Sequence, residues 1–212
     1  AEHRALAREA AARSIVLLRN ERRGPAPILP LAAEGVRRLA VIGDLAATPN
    51  TGDHGSSRVH PPEVVTVLDG LRRCGDELGI EIHHDDGSDP SAAAALAARC
   101  DAAVTVAGTT WRDEGEWVGF KGGDRRSLRL PEPQRRVIEA VGRATDRQIV
   151  VLMGGSAFVT DEIGRSAAAL VMAWYPGMEG GHAIADVMFG LVDPEGRLPL
   201  TWPAASTRLP PF

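Results

Sequence analysis

The chain has 212 residues, 44% of them hydrophobic and 25% charged, with 23 Gly, 15 Pro and a formal net charge of −4. This composition excludes a disordered tail, a collagen and a coiled coil, and the length suffices to bury a core without staples. The slightly acidic balance leaves no broad basic face for nucleic acid or an anionic membrane. No apolar run approaches the ~18 residues that would cross a bilayer.

The first residues, AEHRALAREAAARS, are polar-amphipathic and lack the apolar core of a secretory signal. That favours the cytoplasm, with the compartment left open because residues upstream are expected to be missing. Residues 2–20 read as one helix with Leu6, Ala10, Ile15, Val16 and Leu17 toward a core. GPAPILPL (24–31) is a Pro-rich connector. LAVIG (39–43) is a wholly apolar run ending in Gly, the pattern of a buried parallel strand. A long loop covers 44–62. Residues 64–79 form an amphipathic helix and IEIHH (80–84) a strand. DGSDP (86–90) turns into an Ala-rich helix over 91–99.

AAVTVAG (102–108) is the next strand, followed by a second long loop over 109–130. PEPQRRVIEAVGRA (131–144) opens with Pro and Glu, a good helix start. QIVVLMGG (148–155) and ALVMAW (169–174) are strands, and EGGHAIADVMFG (179–190) is a helix closed by Gly190. LPLTW (198–202) reads as a last short strand, antiparallel at the edge. Strands alternating with helices predict a doubly wound, three-layer αβα sandwich with a mostly parallel sheet. Cys74 and Cys100 are the only cysteines. They have no metal-type spacing and are expected as reduced thiols at helix ends.

Ligands of open α/β sheets bind outside the carboxyl ends of the strands, and the two long loops fall there. The first contains TGDHGSSRVHPP (51–62). Its Gly, Ser57, Arg58 and His54 suit a polar-ligand loop or a phosphate cradle, although the P-loop ending is missing; a turn without ligand is the bland alternative. The second, GTTWRDEGEWVGFKGGDRRSLRLP, sets Trp111, Trp117 and Phe120 beside Asp113, Glu114, Glu116 and Asp124. A carboxylic acid flanked by aromatics can be raised to serve as a general acid, and aromatic faces suit sugar rings. Equally, the aromatics could pin the loop while the carboxylates stay solvated. Arg125 beside Asp124 reads first as a loop-holding residue. His3, His83 and His84 have no partners at metal-ligand spacing. Glu179 reads as a helix-start residue that complements the helix dipole.

Several segments resemble the C-terminal α/β sandwich domain of glycoside hydrolase family 3, the β-glucosidase family. REAAARSIVLLRNE followed by ILPL resembles the helix leaving that family's catalytic barrel. LAVIG with a loop ending in GSSRV resembles its first strand and substrate-facing loop. GEW followed by GGDRRSLRLPEPQ resembles its acid/base loop. AWYPGMEGGHAIADVMFGLVDPEGRLPLTWP is its most specific block. MGGSAFVTDEI (153–163) departs from the family's usual Gly-x-Pro-Val stretch.

The resemblance implies a retaining β-glycosidase acting on terminal β-linked sugars through two carboxylates. The nucleophile would be an Asp on an N-terminal (β/α)8 barrel outside these residues. Residues 1–31 would be the linker helix and connector, and 32–212 the sandwich. Glu116 in GEW fits the general acid/base, with Glu114 as its alternative. Ser57 and Arg58 would line the leaving-group side of the pocket and Trp117 would be a sugar platform. Partners would be a carbohydrate substrate and the barrel of the same protein, with no nucleic acid, membrane, metal or organic cofactor. The alternatives are a non-catalytic sugar-binding or scaffold module and a flavodoxin-like ligand-binding domain. The isolated domain is expected to fold without glycosidase turnover.

Overall fold

The computed structural model describes residues 2–22, 24–31, 33–52, 54–56, 58–115, 125, 127–161, 163–205 and 207. Its elements in chain order are α1 (Glu2–Ser14), β1 (Val16–Asn20), β2 (Arg38–Ile42), α2 (Val67–Leu78), β3 (Glu81–Asp85) and α3 (Pro90–Ala97). They continue with β4 (Ala102–Gly108), α4 (Trp111–Glu114), α5 (Glu132–Ala144), β5 (Gln148–Met153), α6 (Ile163–Ser166), β6 (Ala169–Trp174) and α7 (Gly180–Met188). The strands form one six-stranded sheet in the order β1-β6-β5-β4-β2-β3. β1 runs antiparallel to β6, and the other neighbours are parallel.

The apolar runs are central strands because both their faces are covered. Every residue of β4 and β5 is buried. Side chains alternate between two cores, as the pleat requires. Leu39, Val41, Val104, Val106, Ile149 and Val151 join α1, α2 and α7 on one face. Ala40, Ile42 and Ala103 meet α3 and α5 on the other, and Val150, Leu152 and Met172 pack there beside Ile138 and Ile163. The polar exception, Gln148, is fully satisfied. Its amide oxygen accepts from Thr105 Oγ1 at 2.8 Å, and its Nε2 donates to the carbonyls of Ile138 and Ser166 at 3.0 and 2.7 Å.

Local signals set the helix ends. Thr66 and Asp69 form a capping box at the start of α2. Asp89 caps α3 ahead of Pro90. α2 and α7 cross with their backbones in contact. A Cβ on Gly70 would lie 2.0 Å from the Gly181 carbonyl oxygen, and one on Gly181 would lie 1.8 Å from that of Thr66.

Three expectations are corrected. The first helix ends at Ser14, and residues 16–20 are the antiparallel edge strand. Leu6 is accordingly 63% exposed, and α1 buries Ala11 and Ala12 instead. Residues 198–202 form no strand; Leu198 and Trp202 pack as side chains against the core that holds Val150, Leu152 and Met172. Cys74 lies inside α2, not at its end.

Candidate active site

The carboxyl ends of the parallel strands gather four connections around the one-turn helix α4. Its N-terminus is fixed by a capping box between Thr110 and Asp113. The loop after β2 reaches it from one side. Buried Asn50 donates from Nδ2 to the Thr109 carbonyl at 2.9 Å, and the His54 ring stacks on Trp111 with centroids 5.2 Å apart and planes 20° apart. The Arg112 guanidinium also sits 5.3 Å from the Trp111 ring centre.

Glu114, at the other end of α4, meets the connections after β5 and β6. Its Oε2 accepts from the Gly155 backbone N–H and from the Tyr175 hydroxyl, both at 2.7 Å. Its Oε1 accepts from Ser156 Oγ at 3.2 Å and forms an ion pair with Arg125 Nε at 2.9 Å. Both members of this ion pair are buried, with 7% of the Arg125 and 8% of the Glu114 side chain exposed. Arg125 Nη2 donates to Ser156 Oγ and, at 2.6 Å, to the Ala157 carbonyl. Its guanidinium lies 4.5 Å from the centre of the Phe158 ring. Burial pushes the Arg125 guanidinium below its ordinary value, opposed by the charges of Glu114, Tyr175 and Asp113.

Among the described residues, the non-glycine positions with left-handed backbone are His54 (φ 60) and Trp174 (φ 57). Both stand at this end of the sheet, where strain of about 1–3 kcal/mol per residue tends to collect. At Trp174 the pairing with β5 slips register. Its Nε1 donates to the Ser14 carbonyl at 3.1 Å, and the next residue, Tyr175, reaches Glu114.

Between β2 and β4 the connections part to opposite sides, because β2 leads to β3 and β4 leads to β5. A crevice of about 480 Å³ opens at this switch point. Arg112 and Asp113 line it, facing Asp44, Ser88 and Gln134. Gln134 holds its floor by pairing both backbone groups of Gly108, at 2.9 and 3.0 Å.

The two sequence-predicted loops therefore meet, but through His54 and Trp111. Glu114 is buried and hydrogen-bonded. Arg58 is exposed, and its backbone N–H closes a turn on the Gly55 carbonyl at 3.0 Å. Glu116, Trp117 and Ser57 lie outside the described residues, as does Asp124. The expected partner of Arg125, Asp124, lies outside the described residues, and the partner seen is Glu114. Glu179 makes no side-chain cap; it is buried and bonded to Arg4 Nε at 2.5 Å and His182 Nδ1 at 2.7 Å. Sequence reasoning missed Tyr175, Ser156 and His54 as partners, since nothing local marks contacts between separate loops. Among the described residues no three His, Cys, Asp or Glu side chains gather as metal ligands, and no helix is long and apolar enough to cross a membrane.

A doubly wound sheet whose carboxyl-end loops converge on a carboxylate- and aromatic-bearing segment is an α/β domain built to present side chains at one end. The profile of the glycosyl hydrolase family 3 C-terminal domain matches residues 15–212, and the chain belongs to that family. It is 34% identical to a β-xylosidase of Formosa agariphila over 99% of this chain and 29% of the relative. Identity is also 34% with the thermostable β-glucosidase B of Acetivibrio thermocellus, over 99% of this chain and 27% of the relative. The solved β-glucosidase of Erythrobacter marinus superposes with a TM-score of 0.81 at 30% identity, covering 91% of this chain and 29% of that one. The chain thus spans less than a third of the length of these relatives.

Proposed function

We propose that these residues supply the general acid/base of a retaining β-glycosidase that removes terminal β-linked glucose- or xylose-type sugars. The nucleophile, an Asp, would stand on a (β/α)8 barrel joined to this domain. Residues 1–31 would lead from that barrel into the sandwich of 32–212, leaving β1 in its sheet. Glu116 would protonate the leaving oxygen and then take a proton from the water that hydrolyses the glycosyl-enzyme. Trp117 would stack on sugar, and Ser57 and Arg58 would line the leaving-group side. The chemistry runs on two carboxylates and calls for no metal or organic cofactor. Without the barrel, the domain would have no turnover.

The observation that carries the choice of Glu116 is the bonding of Glu114. Glu114 Oε2 accepts two hydrogen bonds, and Oε1 accepts one and is ion-paired with Arg125. A side chain only 8% exposed and committed to these partners offers little access to an incoming leaving oxygen, which supports Glu116, the other Glu of the segment. The similarity to named β-glucosidases and β-xylosidases supports the substrate class.

Azide rescue tests this reading in the polypeptide that joins these residues to a barrel. Glu116→Ala should lose turnover and regain part of it with azide, releasing a β-glycosyl azide. The same behaviour in Glu114→Ala, and not in Glu116→Ala, would exchange the roles. Rescue of neither would favour a scaffold domain.

A further inference from the structure

We propose that α1 is a charge-latched strap: Arg4 and Arg8 fasten it across two buried carboxylates, Glu179 and Asp186, and loss or screening of those charges releases it as a unit while the sheet stays folded. The inference does not depend on the assignment of Glu116. The apolar seat of α1 is small. Ala11 and Ala12, near its carboxyl end, are its buried residues. The amino-terminal half is held by charge instead. Arg8 grips Asp186 as a fork, Nε to Oδ2 at 2.6 Å and Nη2 to Oδ1 at 2.5 Å. One turn earlier, Arg4 donates from Nε to Glu179 at 2.5 Å and from Nη1 to Glu63 at 2.7 Å. The two carboxylates are seated in the body, with 4% of the Glu179 and 7% of the Asp186 side chain exposed, whereas 43% of Arg4 and 41% of Arg8 meets solvent. Other charges face this seam. His182 of α7 bonds to Glu179 at 2.7 Å, and Arg73, Cys74 and Glu77 of α2 line a small cavity beside Arg8 and Asp186.

The chain is pinned directly after α1. Ile15 is fully buried, its carbonyl accepts from the Gly196 N–H at 3.0 Å, and Trp174 Nε1 donates to the Ser14 carbonyl. Opening therefore turns at Ser14 and leaves β1 in the sheet. Without Arg8 the closed strap would keep the Asp186 carboxylate buried with its fork gone, a strongly unfavourable state, whereas opening returns that carboxylate to water. A helix as short as Glu2–Ser14 is marginal by itself in water, so α1 loses its backbone hydrogen bonds once it leaves its seat. Its free end closes onto Glu63, in the connection after β2, and onto Glu179, after β6. The latch thus lies at the end of the sheet that carries the candidate site, and closing it ties the connection after β2 to α7.

Hydrogen exchange of the 212-residue chain, read by mass spectrometry, tests the latch. Arg8→Gln should speed exchange across residues 2–14 by about 10- to 100-fold. Arg4→Gln should do so by about 3- to 10-fold, because His182 still serves Glu179. Exchange in β4 and β5 should change by less than about two-fold. Raising sodium chloride from about 0.05 to about 1 M should speed exchange in 2–14 by about 3- to 10-fold in the parent, and by less than about two-fold in Arg4→Gln/Arg8→Gln. Arg8→Gln/Asp186→Asn removes the buried charge together with its partner and should exchange more slowly than Arg8→Gln alone. Arg13→Gln is the control: its pairs with Glu9 and Glu195 are exposed, and its effect should stay within about two-fold. Unchanged exchange in Arg8→Gln, an equally large effect of Arg13→Gln, or opening of 2–14 only in step with β4 and β5 would overturn the proposal.

Discussion

His54 lies nearly flat on Trp111, with ring centres 5.2 Å apart, and so ties the loop after β2 to the helix after β4. His54 adopts its left-handed backbone at this contact. Trp111 is still 44% exposed, so the pair is a bridge between loops and not part of the core. Replacing Trp111 with Ala should cost about 0.5–1.5 kcal/mol, the range of an aromatic pair. Hydrogen exchange should rise in residues 51–59 while β4 and β5 stay protected. Unchanged exchange in that loop would show that other contacts hold it.

The crossing of α2 and α7 leaves no room for a side chain. Gly70→Ala places a Cβ against the Gly181 backbone. Overpacking of this kind costs about 1–3 kcal/mol, and each kcal/mol lowers Tm by about 2–4 °C at this size. Gly35→Ala is the control, since nothing lies within 4 Å of its added Cβ. Equal melting of the two variants would contradict the close crossing.

Glu179 predicts a pH-dependent contribution to stability. Burial pushes its carboxyl up, but hydrogen bonds from His182 and Arg4 outweigh this and hold it below its ordinary value. A carboxyl lowered in the folded state stabilises the fold above its ordinary value of about 4.3 and loses that contribution as pH falls through the lowered folded value. Glu179→Gln should therefore be less stable than the parent at pH 7 by about 1–3 kcal/mol. The gap should shrink as pH falls below the ordinary carboxylate range. A gap that stays constant with pH would mean that packing, not charge, carries the effect.

The sheet was legible where burial is two-sided. LAVIG, AAVTVAG, QIVVLM and ALVMAW can only be central strands, and Thr66, Asp89 and Pro90 announce their helices by capping chemistry. The edge was not legible. Ile15–Leu18 is a short apolar run that suits a helix face or a strand equally, and only pairing with β6 decides it. LPLTW alternates like a strand, but Leu198 and Trp202 pack on the core around Val150, Leu152 and Met172 without a ladder, and Leu200 is exposed. At the site, strand order and loop length pointed to both loops, and the family resemblance put forward Glu116 with Glu114 as its alternative. It could not separate Glu114 from Glu116. The donors to Glu114 come from Gly155, Ser156 and Tyr175, and its ion-pair partner is Arg125, which only the fold brings together.

The most direct measurement is the leaving-group dependence of Glu116→Gln against the parent, on aryl β-glucosides and β-xylosides, in a polypeptide that joins these residues to the proposed barrel. A lost general acid should lower kcat/KM by about 100-fold or more on phenols of high pKa. Dinitrophenyl glycosides should keep a kcat/KM close to the parent's, and the alkaline limb of the pH profile should disappear. A uniform loss across the series, or no loss, would contradict Glu116 as the acid/base.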